Sequence, residues 1–133
     1  MSPRTILVVD DDADSASVLA RLLRRDGYEV RVAISMAEAS HCAVAWRPDF
    51  LISDVKLTDG DGCELLRRVR RVYPVRAIAV TGYVGEPFEQ QCRDAGYERV
   101  LAKPFRFEQV QAAIEFQLPA APGRVSTPQP AGA

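Results

Sequence analysis

Apolar positions along the chain fall into two kinds of run. Short, wholly apolar runs occur at Ile6-Leu7-Val8-Val9, Phe50-Leu51-Ile52, Ala77-Ile78-Ala79-Val80 and Val100-Leu101-Ala102. They are too short for helices and too apolar for exposed strands, which predicts strands buried in a parallel sheet. Glu29 to Ala33 alternates polar and apolar through Val30 and Val32, as an edge strand does. Between the strands, apolar residues recur at helical spacing. Asp14 to Gly27 carries Val18, Leu19, Leu22 and Leu23 as one inward stripe, with Gly27 as the stop. Ser35 and Glu38 form a capping box for a second helix, with Met36, Ala39, Ala43 and Trp46 inward and Arg47-Pro48 as its end. Cys63 to Val72 is a third helix, with Leu65, Leu66, Val69 and Val72 inward and its arginines solvated. Glu86 to Ala95, a fourth, has a thin stripe of Phe88, Cys92 and Ala95, which predicts the most exposed and least stable helix. The last, Phe107 to about Phe116, packs through Phe107, Val110 and Ile114.

Five strands alternating with five helices predict an α/β domain built on a doubly wound, five-stranded parallel sheet. Right-handed crossovers point to the flavodoxin-like strand order 2-1-3-4-5. The domain is expected to span 1–117, with 118–133 as a flexible Pro/Ala-rich tail or linker stub.

Composition narrows the setting. A chain of 133 residues, 47% hydrophobic, suits one core. A formal net charge of −1 gives no argument for nucleic acid or a membrane surface as direct partner. No apolar stretch approaches the ~20 residues needed to span a bilayer. Met1-Ser2-Pro3-Arg4 has no secretory pattern, and Cys42, Cys63 and Cys92 form neither a CxxC nor a disulfide framework. A reducing, cytoplasmic location is the expectation, with the cysteines serving as small hydrophobes.

The chemistry lies where the buried strands stop: at Asp10/Asp11, Asp54, Thr81 and Lys103. In a parallel sheet these ends share one edge, the edge that binds ligands in open α/β folds. Asp10, Asp11 and Asp54 are hard oxygen donors suited to Mg²⁺ or Mn²⁺. Like charges so close are costly unless a cation sits among them. A carboxylate beside a divalent ion, a lysine and a hydroxyl is equipped to attack phosphorus while its neighbours neutralise the transferred oxygens.

Val8-Val9-Asp10-Asp11, Ser53-Asp54, Asp61-Gly62, Thr81-Gly82 and Lys103-Pro104-Phe105 together resemble the motif set of two-component response-regulator receiver domains, over roughly Thr5 to Phe116. The resemblance implies that Asp54 is the phosphoacceptor, Asp11 the direct Mg²⁺ ligand assisted by Asp10, and the Lys56 carbonyl the third protein ligand. It implies that Thr81 is the switch hydroxyl, that Lys103 pairs with the phosphorylated aspartate, and that the bond to Pro104 is cis. Such a protein takes its phosphoryl group from a sensor histidine kinase or a histidine phosphotransfer protein. It changes the face made by the fourth helix, fifth strand and fifth helix, through which it signals to a downstream protein or forms a homodimer. It phosphorylates and dephosphorylates itself but is otherwise no enzyme. Thr81-Gly82-Tyr83 and Ala95-Gly96-Tyr97 look most like receivers of hybrid histidine kinases.

Departures from the common pattern are specific. Leu57-Thr58 stands where Met-Pro is usual, so the loop loses a rigid proline. Val100 occupies a position that often carries a switching aromatic. Lys56 and Tyr83 hold the places that tune hydrolysis in the family, and long side chains there are expected to shield the phosphoryl group.

Other carboxylates have plainer readings: Asp12 and Asp14 as helix N-terminal charges, Asp59 and Asp61 as turn formers. Tyr83, Tyr97 and Phe105 flank the fourth helix and are candidates for a partner-binding surface. Two other function classes compete. One is a phosphate-independent interaction scaffold. The other is a haloacid-dehalogenase-type phosphatase using Asp10 in Asp10-x-Asp12, which leaves Asp54 unexplained.

Overall fold

The structure, a computed structural model, describes residues 4–82 and 85–117. Tyr83 and the expected tail at 118–133 lie outside the described residues. The elements are β1 (Thr5–Val9), α1 (Ala13–Arg25), β2 (Glu29–Ala33), α2 (Met36–Trp46), β3 (Phe50–Asp54), α3 (Gly62–Arg70), β4 (Arg76–Thr81), α4 (Glu86–Ala95), β5 (Arg99–Ala102) and α5 (Phe107–Gln117). All strand pairs of the main sheet are parallel, in the order β2-β1-β3-β4-β5, which is the expected 2-1-3-4-5 topology.

Successive side chains on a strand point to opposite faces, and this divides the core in two. Ile6, Val8, Phe50, Ile52, Ile78 and Val80 face α1 and α5, where Ala16, Ala20, Leu23, Val110 and Ile114 complete one cluster. Leu7, Val9, Leu51, Ala77 and Ala79 face the other way, onto Ala39, Ala43, Leu65, Leu66 and Cys92 of α2, α3 and α4. Each fully buried Leu or Ile contributes about 1.5–3 kcal/mol of hydrophobic stabilisation.

Helix ends follow the local chemistry. Asp12 caps α1, accepting from the Asp14 and Ser15 amides. Ser35 caps α2 through the Glu38 amide, but the Glu38 carboxylate reaches back to Ile34 N (2.8 Å) and not to the cap residue itself. Helices α1 and α4 both end in a glycine with positive φ, Gly27 and Gly96. In each, the next residue's amide bonds five residues back: Tyr28 to the Leu23 carbonyl and Tyr97 to the Cys92 carbonyl. That is the Schellman arrangement, which turns the residue after the glycine inward.

Several expectations are corrected. Val18 is 54% exposed, because α1 buries Ala16, Leu19, Ala20 and Leu23 and turns Val18 to solvent. Val72 lies beyond the end of α3 and is 42% exposed. Strand β5 is only half-buried, since it is a sheet edge. Asp59 stands in a turn as expected but also bonds beyond it, whereas Asp61 is not in a turn and ends a short strand. Lys56–Leu57 pairs antiparallel with Gly60–Asp61 in a small hairpin. Asp59 at its tip accepts from the Met36 and Ala37 amides (2.7 and 3.0 Å), closing the N-terminus of α2, while Asp61 caps α3 through the Glu64 amide. The loop without its proline is thus held by the hairpin and by this clasp.

Candidate functional site

Register brings the site together. Val9 lies beside Ser53 and Asp54 beside Val80, so Asp10 follows β1 at the level of Asp54. Thr81 pairs with Ala102, and the Lys103 amide donates to the Thr81 carbonyl at 2.7 Å. Asp10, Asp54 and Lys103 continue the α1–α5 face of their strands. Thr81, next to Val80, continues the opposite one.

The Lys103 ammonium sits between two carboxylates, donating to Asp10 Oδ2 (3.0 Å) and Asp54 Oδ2 (2.9 Å). Asp10 and Asp54 are buried, at 6% and 8% exposure, and Asp11 is exposed. The Asp10 Oδ1 accepts from the Asp12 amide at 2.9 Å, fixing its rotamer, and Asp54 Oδ1 accepts from the Lys56 amide at 3.3 Å. Burial pulls the lysine pKa down. The hydrogen bonds and charges of Asp54 and Asp10 outweigh it, so the ammonium is held above its ordinary value. Its contribution to stability is therefore complete below 10.5, the ordinary lysine value, and is lost as pH climbs through the raised one. The bond from Lys103 to Pro104 is cis, as expected.

Asp10, Asp11 and Asp54 each offer an oxygen, all within 4.8 Å of one another. Three carboxylates against one ammonium leave a formal charge of −2. An all-oxygen donor set with that excess fits a small divalent cation and does not fit a soft metal. Lys56 is exposed beside the site in the hairpin, and Thr81 is 1% exposed. Val100 is half-buried on the same side of the sheet as Thr81, packed against the cluster of α2, α3 and α4.

Two features were not read from the sequence. An apolar groove of about 650 Å³ runs along the site between α1 and the segment entering α5. Val18, Leu22, Pro104, Phe105 and Phe107 line it, and Asp10 and Lys103 reach its wall. Tyr97, expected as a surface candidate, is 2% exposed, and its hydroxyl donates to the Gly62 carbonyl at 2.6 Å. Its place after Gly96, the C-terminal glycine of α4, was the available signal. Phe105 is half-buried.

The comparisons agree with this geometry. The family model for the response regulator receiver domain matches residues 6–115. The transcriptional regulatory protein PdtaR of Mycobacterium tuberculosis is 34% identical over 116 residues, covering 85% of this chain. The chain spans 56% of that relative's length. Sporulation initiation phosphotransferase F of Bacillus subtilis is 28% identical, covering 90% of this chain and 97% of its own. A Burkholderia pseudomallei response regulator solved with a phosphorylated aspartic acid and a calcium ion superposes with a TM-score of 0.79 at 34% identity, over 84% of this chain and 66% of that one. A CheY-like receiver domain protein of Methanospirillum hungatei gives a TM-score of 0.83 at 28% identity, over 87% and 94%. The family match over residues 6–115 supports the receiver reading and gives the phosphatase alternative no support. The chain belongs to the response-regulator receiver domain family.

Proposed function

We propose that this receiver accepts a phosphoryl group on Asp54 from a phosphohistidine, on a histidine kinase or a phosphotransfer protein, and signals by the resulting change in conformation. The observation that carries the reading is the Lys103 ammonium shared by Asp10 and Asp54. A carboxylate oxygen of Asp54 attacks phosphorus, the P–N bond breaks, and its electron pair returns to the imidazole. Lys103 already touches Asp54 and supplies a positive charge where the phosphoryl oxygens arrive. Asp10, Asp11, Asp54 and the Lys56 carbonyl would hold Mg²⁺, or Mn²⁺ in its place. When bound, such an ion neutralises charge on the transferred oxygens.

Thr81 ends the strand beside β3, and its backbone is tied to Lys103, so its hydroxyl is well placed to follow the phosphoryl group. Movement there would reach the face formed by α4, β5 and α5, where a downstream partner or a second copy would read it. Val100 has no ring to flip, so the readout relies on Thr81 and the backbone. The groove beside the site supports docking of the phosphodonor protein: Val18 is exposed there, and apolar surface of that kind favours a partner helix. Lys56 beside the pocket is assigned to shielding the phosphoryl group, with Tyr83 as its counterpart. We assign residues 1–117 to the receiver.

Intact mass after incubation with Mg²⁺ and acetyl phosphate tests the assignment. A phosphoryl adduct is expected on the wild type and none on Asp54→Asn. An adduct that survives Asp54→Asn would overturn it.

A further inference from the structure

One buried polar cluster on the α2–α4 face takes no part in this chemistry. Strand β3 places Asp54 on one face and Ser53 on the other. The Ser53 hydroxyl donates to the Asp54 carbonyl at 2.8 Å and, with the Tyr97 hydroxyl, borders the space above the Gly62 Cα. Tyr97 in turn donates to the Gly62 carbonyl at 2.6 Å, and the Gly62 amide donates to the Val55 carbonyl at 2.7 Å. A Cβ on Gly62 would stand 2.6 Å from the Asp54 carbonyl, 3.0 Å from the Tyr97 hydroxyl and 3.1 Å from the Ser53 hydroxyl. The first turn of α3 is therefore pressed directly onto the backbone that aims the Asp54 side chain.

Each hydroxyl proton in this cluster has one acceptor, Ser53 the Asp54 carbonyl and Tyr97 the Gly62 carbonyl, so the backbone on both sides of the contact is held by a buried side chain. Tyr97 is also fastened to the last turn of α4 by its amide bond to the Cys92 carbonyl at 3.1 Å. The Cys92 thiol in turn contacts the Cys63 thiol of α3 at 4.0 Å.

We infer that Tyr97 is a positioning residue for Asp54, coupling the phosphoacceptor backbone to the end of α4 through Gly62 and Ser53. The inference rests on Asp54 being the phosphoacceptor. Because coupling is reciprocal, a phosphoryl group on Asp54 biases the Tyr97 hydrogen bonds, and a partner holding α4 biases the reactivity of Asp54. This gives the chain a route to α4 that does not need an aromatic residue at position 100.

The test compares wild type, Tyr97→Phe, Ser53→Ala and the double variant, each checked for fold by circular dichroism. Beryllofluoride with Mg²⁺ stands in for the phosphoryl group, and amide NMR shifts of Glu89 to Ala95 report α4. Tyr97→Phe keeps the ring in its core site, so the adduct still forms. The α4 shifts are expected to fall below half their wild-type size. The phosphorylation rate with acetyl phosphate is expected to drop on the order of 10-fold, with the half-saturating donor concentration unchanged. The double variant should be no worse than either single one, because both break the same chain of contacts. Full-sized α4 shifts in Tyr97→Phe, or in Ser53→Ala should the tyrosine variant not fold, would overturn the inference. Absence of any adduct on the wild type would instead overturn the phosphoacceptor reading, and the inference with it.

Discussion

On the α1–α5 face the strands end in charge, with Asp10, Asp54 and Lys103 in contact. On the α2–α4 face the same strands end in neutral groups, Ser53 and Thr81, both buried, with Tyr97 beneath. Neighbours in sequence thus serve opposite faces: Ser53 and Asp54 on β3, Val80 and Thr81 on β4. A two-residue period is the physical cause, and its effect is that a charge change on one face is passed through a single peptide unit to a dry hydrogen-bonded cluster on the other. The charged face is suited to chemistry because its fields are strong and open to solvent ions. The neutral face is suited to transmission because buried hydroxyls have few alternative partners.

Substitutions can break this division or sharpen it. Lys103→Ala should have the largest effect, a fall of about 10²–10³ in the rate of phosphorylation by acetyl phosphate, read by intact mass over time. A loss of less than about 10-fold would mean that the charged face does not depend on the Lys103 ammonium. Val18→Asp should next slow phosphotransfer from a phosphohistidine protein by about 10-fold, the equivalent of ~1.4 kcal/mol, and leave the acetyl phosphate rate alone. Equal slowing with both donors would separate the groove from partner docking. Thr81→Ala lies on the neutral face and should change the phosphorylation rate by less than about 3-fold while removing the α4 response to beryllofluoride, which tests whether chemistry and transmission can be separated.

The smallest effect concerns the clasp at the hairpin tip. The Met36 amide, then that of Ala37, hold the Asp59 carboxyl below its ordinary value of 3.8. A depressed pKa contributes stability that is present above the ordinary value and lost as pH falls through the folded one. Asp59→Asn should therefore unfold at lower urea than wild type at pH 7, and the difference should shrink below pH 3.8. A constant difference across that range would mean that the clasp is not ionic.

The sequence carried the strands, the sheet order and the charged site almost whole, because strand ends in a parallel sheet are forced to one edge and four of them bear functional side chains. It carried the helices less well on their faces than in their extents. In α1 the larger side chains suggested a stripe through Val18, while the buried face is built partly from Ala16 and Ala20, which weigh little in a reading of hydrophobicity. The roles of Asp59 and Tyr97 were out of reach for another reason. Asp59 acts on amides 22 and 23 positions away, and Tyr97 on a carbonyl 35 positions away. Residue type and local spacing say nothing about such partners. The stop glycine before Tyr97 did mark it as turned inward, a signal of backbone geometry and not of polarity.

The three thiols differ in a way that matters at the bench. Cys63 and Cys92 are buried against each other, and burial pushes the Cys63 thiol up to about 12 and raises that of Cys92 as well. Neither presents a thiolate at neutral pH, and the thiolate is the form that alkylates. Cys42, half-buried on α2 where it packs against the core, is the most exposed of the three. A maleimide dye is therefore expected to enter there first, on a helix outside the phosphoryl pocket, which would give a native labelling site for watching partners arrive and leave.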